Sequence, residues 1–439
     1  ASSAARLGAA ALVALLIAGP GCDEEASNNP APDARLDSGG DLAVSDASGA
    51  DTAMSDKGAA DTGKADAPSP DKGKPDAALP DKTLPDFGPP KPFATISAGK
   101  THTCATRTDG TLACWGHNAF YQVGDNTNIN RTAPVRVGLL TTWAAVSAGN
   151  VFNGAVMKDG TLWGWGYNSS GQLGDGTAVQ KQTPTQAGAL KTWAHIAAGS
   201  IHSCGTMTDG TLWCWGSNGS GQLGDGTKAA KISPVQVGSL KTWASVTAGT
   251  SISCGAMTDG TLWCWGENAY GALGDGTYVS KQTPTQVGTL KTWASVAAAA
   301  YHACGTMTDG TLWCWGQSFD GAIGQGTTTK SSNVPAQVGT LKTWASVEVG
   351  ENHSCGTMTD GTLWCWGGNG SGQVGNSNNT HQYTPVQVGT LKTWASVSCG
   401  YSHTCGSQKD GTVWCWGSNS YGELGDGTTS AKNTPTKVK

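Results

Sequence analysis

The residues with the plainest chemistry are cysteine and histidine. Cys104 and Cys114, Cys204 and Cys214, Cys254 and Cys264, Cys304 and Cys314, Cys355 and Cys365, and Cys405 and Cys415 each stand ten residues apart. His102, His202, His302, His353 and His403 fall two residues before the first cysteine of their pairs. A disulfide needs only the two sulfurs, whereas zinc would take thiolates and imidazole together. Zinc is the weaker reading, because Ile252 replaces the histidine where Cys254 and Cys264 both remain. Gly154 and Gly164 fill the equivalent places in another unit, so both cysteines are missing there together. Joint loss is what a bonded pair predicts. Six disulfides are expected, with no metal site and no cofactor, and Cys22 and Cys399 are left over.

A tight hairpin is what would bring each pair together. With a three-residue loop Thr208-Asp209-Gly210 and Gly210 left-handed in a bulge, Met207 pairs with Thr211 and Cys204 falls opposite Cys214. Counting outward makes this a non-hydrogen-bonded pair, with Cα atoms about 4.5 Å apart, close enough to bridge. The same register sets Trp213 opposite Gly205.

The hairpin belongs to a repeat. Its Asp-Gly step recurs at Asp109, Asp159, Asp209, Asp259, Asp309, Asp360 and Asp410, at spacings of 50 broken once by 51. In the unit beginning at Trp193, four strands are expected: Trp193 to Ala198, His202 to Met207, Thr211 to Trp215, and Pro234 to Val237. Seven such units, each too small to bury its own faces, predict an all-β, seven-bladed propeller of four-stranded blades over residues 93–439. Abundant glycine (64 residues) and sparse charge (13 %) suit short strands and tight turns. All 19 tryptophans fall at three repeat positions, those of Trp193, Trp213 and Trp215, which is what packing between blades requires.

The first 92 residues differ. Residues 1–22 carry Arg6, an apolar run from Leu7 to Ala18, then small residues and Cys22, and read as a signal peptide rather than a spanning helix. Cys22 resembles the acylated cysteine of the bacterial lipobox, although Gly19-Pro20-Gly21 departs from its usual aliphatic position. Residues 23–92 hold 13 Asp and 2 Glu against 6 Lys and 1 Arg, with Phe87 the only aromatic, so they cannot form a core and are expected to be a disordered tether. As a coil it would span on the order of 45 Å. The repeats are near neutral, which gives no case for nucleic acid.

The run from Gly199 to Thr227, with Asp209-Gly210-Thr211-Leu212-Trp213-Cys214-Trp215-Gly216-x-Asn218 and Gly221-Gln222-Leu223-Gly224-Asp225-Gly226, resembles the regulator of chromosome condensation repeat. The resemblance covers about residues 93–439. It implies a seven-bladed propeller, and the added cysteine pair looks like exported bacterial members. Members include a nucleotide exchange factor for a nuclear GTPase, an ultraviolet-B photoreceptor and a secreted inhibitor of β-lactamase, so the fold does not fix function.

No catalytic constellation stands out. A residue needed once for catalysis would not be needed five times, so the histidines are expected to make structural hydrogen bonds, and the chain is read as not an enzyme. The Gly-Asp-Gly-Thr loops lack the lysine or clustered carboxylates of phosphate or calcium sites and read as turns. Function is expected where the copies disagree. Phe120, Tyr121, Tyr167, Tyr270, Phe319 and Tyr421, shortly after the Trp-Gly steps, form the candidate binding rim. Phe152, Tyr301 and Tyr401 vary between the first and second strands, and 128–131, 178–181, 228–231, 328–333 and 378–383 vary after the Gly-Asp-Gly turns. The expected role is an exported, lipid-anchored module at the cell envelope that binds a protein partner, with a glycan or a purely structural role as the alternatives.

Overall fold

The computed structural model describes residues 90–326 and 331–439. The expected signal peptide, Cys22 and nearly all of the tether lie outside them. The described chain forms 28 strands in seven four-stranded antiparallel sheets, each using four consecutive strands in chain order. The blades occupy 93–136, 143–186, 193–236, 243–286, 293–337, 344–387 and 394–437. In the third, the strands are Trp193–Ala198, His202–Met207, Leu212–Gly216 and Lys231–Gln236. The outer strand thus begins three residues before the expected Pro234, because Gly216 pairs with Lys231 across a bulge. Its proline sits on the free edge, where a missing N–H breaks no ladder and discourages pairing with another chain.

The hairpin register is as expected. Cys204 pairs with Cys214, Met207 N–H donates to Thr211 O at 3.0 Å, and Gly210 has φ +78°. All six cysteine pairs are bonded, with Cα atoms 4.0–4.1 Å apart, and Gly154 faces Gly164 in the blade without them. Trp213, however, is not the ring that needs Gly205. Trp193, on the first strand, lies over that glycine, where a Cβ would come within 2.9 Å of Cζ3. Trp213 is half-buried and donates from Nε1 to Thr211 Oγ1 at 3.0 Å.

The core lies between blades. Cys204, Leu212, Cys214, Leu223 and Val237 of the third blade pack against Trp243, Met257 and Trp265 of the fourth. One polar contact fixes this interface. The Nε1–H of fully buried Trp215 donates to Gln172 O of the preceding blade at 2.9 Å, and Ser203 Oγ donates to the same carbonyl at 2.8 Å. Equivalent tryptophans reach Gln122, Gln222, Ala272, Ala322 and Gln373, and Trp115 reaches Glu423 O at 2.8 Å. That last bond closes the ring between the seventh blade and the first without exchange of a strand. Phe93 N donates to Gly411 O and Val438 N to Val413 O, so the propeller's first and last residues dock on one hairpin.

The tryptophan ring also dictates a glycine. At Gly174, φ is +74° and a Cβ would meet Trp215 Nε1 at 2.6 Å, while Gly188 shares the left-handed conformation (φ +72°) with nothing within 4 Å. Gly174→Ala is expected to destabilise by about 3 kcal/mol and Gly188→Ala by about 1 kcal/mol. Denaturant titration of both variants checks this, and equal losses would show that the ring contact constrains nothing.

Candidate binding face

An antiparallel meander puts the turn between its first and second strands and the loop between its third and outer strands at the same end. All six candidate rim residues therefore come out on one face of the ring, while the Asp-Gly hairpins come out on the other. The first strands are innermost. Their ends line a cavity of about 190 Å³ at the ring axis, and around its mouth stand Lys100, Asn150, Ser200, Thr250, Glu351 and Tyr401. Lys100 Nζ lies 4.8 Å from the centre of the Tyr401 ring, and Asn150 Nδ2 donates to Ser200 Oγ at 3.1 Å. Burial pushes the Glu351 carboxyl up, against the pull of Lys100.

The rim residues gather in two clusters. Tyr421 of the last blade lies 4.5 Å from His117, which lies 6.2 Å from Phe120, itself 5.3 Å from Tyr167 of the second blade (ring centroids). In the other cluster, Tyr270, Tyr301 and Phe319 are mutually 5.1, 5.7 and 6.2 Å apart, spacings at which aromatic edges and faces attract. Tyr270 and Phe319 are about 40 % exposed. Tyr121 joins neither cluster by a ring contact; it stands at φ +63°, where the six other blades carry glycine at Gly171, Gly221, Gly271, Gly321, Gly372 and Gly422. His117 was not foreseen, since nothing in its spacing sets it apart from the varied residues around it.

Phe152 is a correction. It begins the second strand at the histidine position and is fully buried with Leu173 and Ala198. Part of the loop variation is also framework: Arg131, Lys181 and Lys231 pair with Asp125, Asp175 and Asp225 at 2.6, 2.9 and 3.6 Å. Burial works against the Asp175 charge, but hydrogen bonds from Lys181 and Thr177 outweigh it and hold the carboxyl below its ordinary value. Asn168 Nδ2 donates to Asp175 at 3.2 Å and to Thr177 O at 3.1 Å, tying the loop shut as a turn. Residues 327–330 lie outside the described chain.

The fifth blade departs most from this framework. Ser318 replaces the buried asparagine, Gln325 replaces the aspartate, and Ala299 replaces the glycine found as Gly99, Gly149, Gly199, Gly249, Gly350 and Gly400. Gln325 Nε2 instead donates to Gln337 O at 3.0 Å. Asp320 adopts φ +52° in a 3-10 turn, Phe319–Gly321, a conformation costly for a non-glycine residue. Phe319 sits on this departing loop, where it meets Tyr301 from the inner turn of the same blade and Tyr270 from the fourth blade.

The histidines behave as structural groups. His202 Nε2 lies 2.9 Å from Ser253 Oγ of the next blade, and Ser253 itself donates to Gln222 O, so the imidazole must be the donor. Its Nδ1 is buried with no partner. His102, His302, His353 and His403 make the same bond, to Asn153, Ser354, Thr404 and Thr103. Where Ile252 replaces the histidine, the facing residue is Ala303, and the two share one apolar cluster.

The fold is that of a seven-bladed propeller built from repeats of the regulator of chromosome condensation type. The chain belongs to the RCC1-like domain family: that family's model matches residues 52–356, more than half of the chain, and RCC1 repeat models match 344–373, 394–423, 360–406 and 410–439. No curated protein matches it by sequence. Among solved structures it is similar to human WBSCR16 (TM-score 0.68, 20 % identity, covering 75 % of this chain and 94 % of that one) and to yeast RCC1 (Prp20) in its complex with Kap60 (TM-score 0.64, 19 % identity, covering 70 % and 78 %). Prp20p from Saccharomyces cerevisiae is similar to the same degree (TM-score 0.62, 19 % identity, covering 70 % and 80 %). At these identities the likeness is one of fold.

Burial lowers the imidazole pKa to about 4 at His102, His202 and His302 and to about 3 at His353 and His403. An unfolded histidine titrates near pH 6.5, so between about 6.5 and 4 the unfolded chain binds protons that the fold refuses. Stability is expected to be full above pH 6.5 and to fall steadily as pH drops through that window. Combining His202→Ile with Ser253→Ala, as at Ile252 and Ala303, should reduce the slope by about one proton, read from unfolding midpoints between pH 4 and 7.

Proposed function

We propose that this protein is an exported, lipid-anchored module that binds a protein partner through the face bearing the two aromatic clusters, with the Tyr270–Tyr301–Phe319 sector as its centre. The observation that carries the reading is the coincidence of three exposed or half-exposed aromatic rings, Tyr270 from the fourth blade with Tyr301 and Phe319 from the fifth, with replacement in the fifth of the buried asparagine and the aspartate that tie most other loops. A repeated framework that keeps one set of side chains elsewhere and exchanges it where aromatic side chains reach solvent has the composition of an interaction hot spot. Relatives in the family commonly serve as interaction and regulatory modules, which supports a binding role over catalysis. No nucleic acid and no cofactor enters this reading.

Export rests on the apolar run before Cys22 and on the six disulfides, which persist in oxidising compartments. Anchoring rests on Cys22, with the tether of residues 23–92 holding the propeller clear of a bacterial envelope. A protein partner is favoured over a glycan because the rings pack edge to face on one another, a surface that meets apolar side chains, rather than lying as flat exposed plates.

The immobilised full chain is expected to capture a partner from envelope and secreted fractions. Tyr270→Ala with Phe319→Ala should weaken that capture about 30-fold, whereas Phe120→Ala with Tyr421→Ala should change it little. Loss in the second variant alone would move the centre to the other cluster, and no effect of either would remove the aromatic face from the proposal. Cys22→Ser is expected to shift the protein from the membrane to the soluble fraction.

A further inference from the structure

Cys399 is the one free cysteine among the described residues, and it is also a departure from the repeat. It ends the innermost strand of the seventh blade, where the other blades have Ala98, Ala148, Ala198, Ala248, Ala298 and Val349. One residue earlier in the repeat, Glu348 stands on the adjacent inner strand of the sixth blade, where the others carry serine, alanine or threonine. The two departures meet: the Cys399 thiol points at Glu348 O, 3.8 Å away. On its other side lies the sixth blade's disulfide. The sulfurs of Cys399 and Cys355 and a ring nitrogen of His353 lie within 4.8 Å of one another, and Cys355 is bonded to Cys365. Cys355 and Cys365 belong to one buried cluster, and Cys399, partly buried, packs against it.

A thiol, two sulfurs and an imidazole would suit a soft metal only if Cys355 were reduced. With Cys355 oxidised, the arrangement is that of a thiol placed beside a disulfide. We propose that Cys399 exchanges with the Cys355–Cys365 disulfide. The Cys399 thiolate attacks Cys355 Sγ, the Cys355–Cys399 bond forms, the Cys355–Cys365 bond breaks, and Cys365 leaves as a thiolate that takes up the proton Cys399 gave away. No oxidant or reductant is consumed. The product bridge ties the second strand of the sixth blade to the inner strand of the seventh, where the original only closes a hairpin. It spans a far longer stretch of chain, so it constrains the unfolded state more. The free thiol also changes place, from the cavity wall, which Cys399 lines, to the fully buried position of Cys365.

The surroundings set the pace. Burial, and then the Glu348 carboxylate, push the Cys399 thiol well above its ordinary range, and burial brings the Glu348 carboxyl up to about 7. Although Glu348 is exposed to solvent, the inner strands crowd its carboxyl, which is why desolvation dominates. The other titratable groups facing this region are His353, held neutral, and Glu351 and Lys100 at the mouth. Only the thiolate attacks, so exchange is slow at neutral pH and quickens about tenfold per unit of pH below the thiol's pKa.

The full chain is incubated at pH 7, 8 and 9, quenched in acid, unfolded, alkylated with N-ethylmaleimide and mapped without reduction. A Cys355–Cys399 peptide is expected, with alkylated Cys365 appearing in step, at a rate that rises with pH and is independent of protein concentration. Cys399 as the only alkylated member of the three at every pH would overturn the proposal, as would a rate proportional to protein concentration, which would assign exchange to contacts between molecules. Cys365→Ser supplies a second test. Treated with oxidised glutathione, its folded propeller is expected to form the Cys355–Cys399 bridge, and two glutathione mixed disulfides in its place would show that the sulfurs cannot meet.

Discussion

A single backbone carbonyl, repeated seven times, carries the architecture. Gln172 O and its six equivalents each accept an indole N–H from the next blade, and most accept a second bond from the hydroxyl or amide that follows the histidine position. A buried carbonyl with two satisfied lone pairs fixes both the distance and the rotation between neighbouring blades. From it follow the indole at Trp215, the glycine at Gly174 that lies under it, and the small polar residue at Ser203. Because the bond from Trp115 to Glu423 has the same form as the other six, the ring closes without exchange of a strand. The interface between last and first blades differs chiefly in having Phe93, under the Arg107 guanidinium at 4.1 Å, where other blades have tryptophan.

So regular a framework makes departures informative. Where a histidine is lost at Ile252, its partner becomes Ala303 and the interface stays satisfied, which marks that change as compensated packing. Where the fifth blade exchanges its asparagine and aspartate for Ser318 and Gln325, the loop is tied differently, with Gln325 donating to Gln337 O, and it carries a strained Asp320 beside Phe319, which meets Tyr301 and Tyr270. The first kind of departure preserves stability. The second leaves aromatic rings in solvent where the fourth and fifth blades meet, which is why the proposed binding face is centred there rather than on the ring as a whole.

The sulfurs join these two themes. Each disulfide closes a hairpin that its Asp-Gly turn already sets, so its larger service is as buried apolar volume between blades, in the same clusters as the tryptophans. Gly154 and Gly164 show that a blade keeps its fold without the pair: Ile196 of the next blade fills the space, and a Cβ at Gly154 would lie 2.7 Å from it. Cys399 adds a thiol to one such cluster and turns a packing element into a reactive neighbour.

Sequence by itself determined the repeat, the blade count, the hairpin register and the six disulfides. These depend on local spacing: a three-residue loop fixes which residues face each other, and a period of 50 fixes how many times. Tertiary structure decided the rest. Phe152 is buried and Tyr301 half-exposed because they stand one repeat position apart, Phe152 opening the second strand where other blades carry histidine and Tyr301 in the turn before it; what each ring then meets is decided by the neighbouring blade. The spacing does not join Tyr270 of one blade to Phe319 of the next, His117 to Tyr421 across the ring closure, or Cys399 to a disulfide in another blade. Those residues meet because the indole–carbonyl bond sets each blade against its neighbour at one angle, and contacts made across that angle have no signature along a single chain.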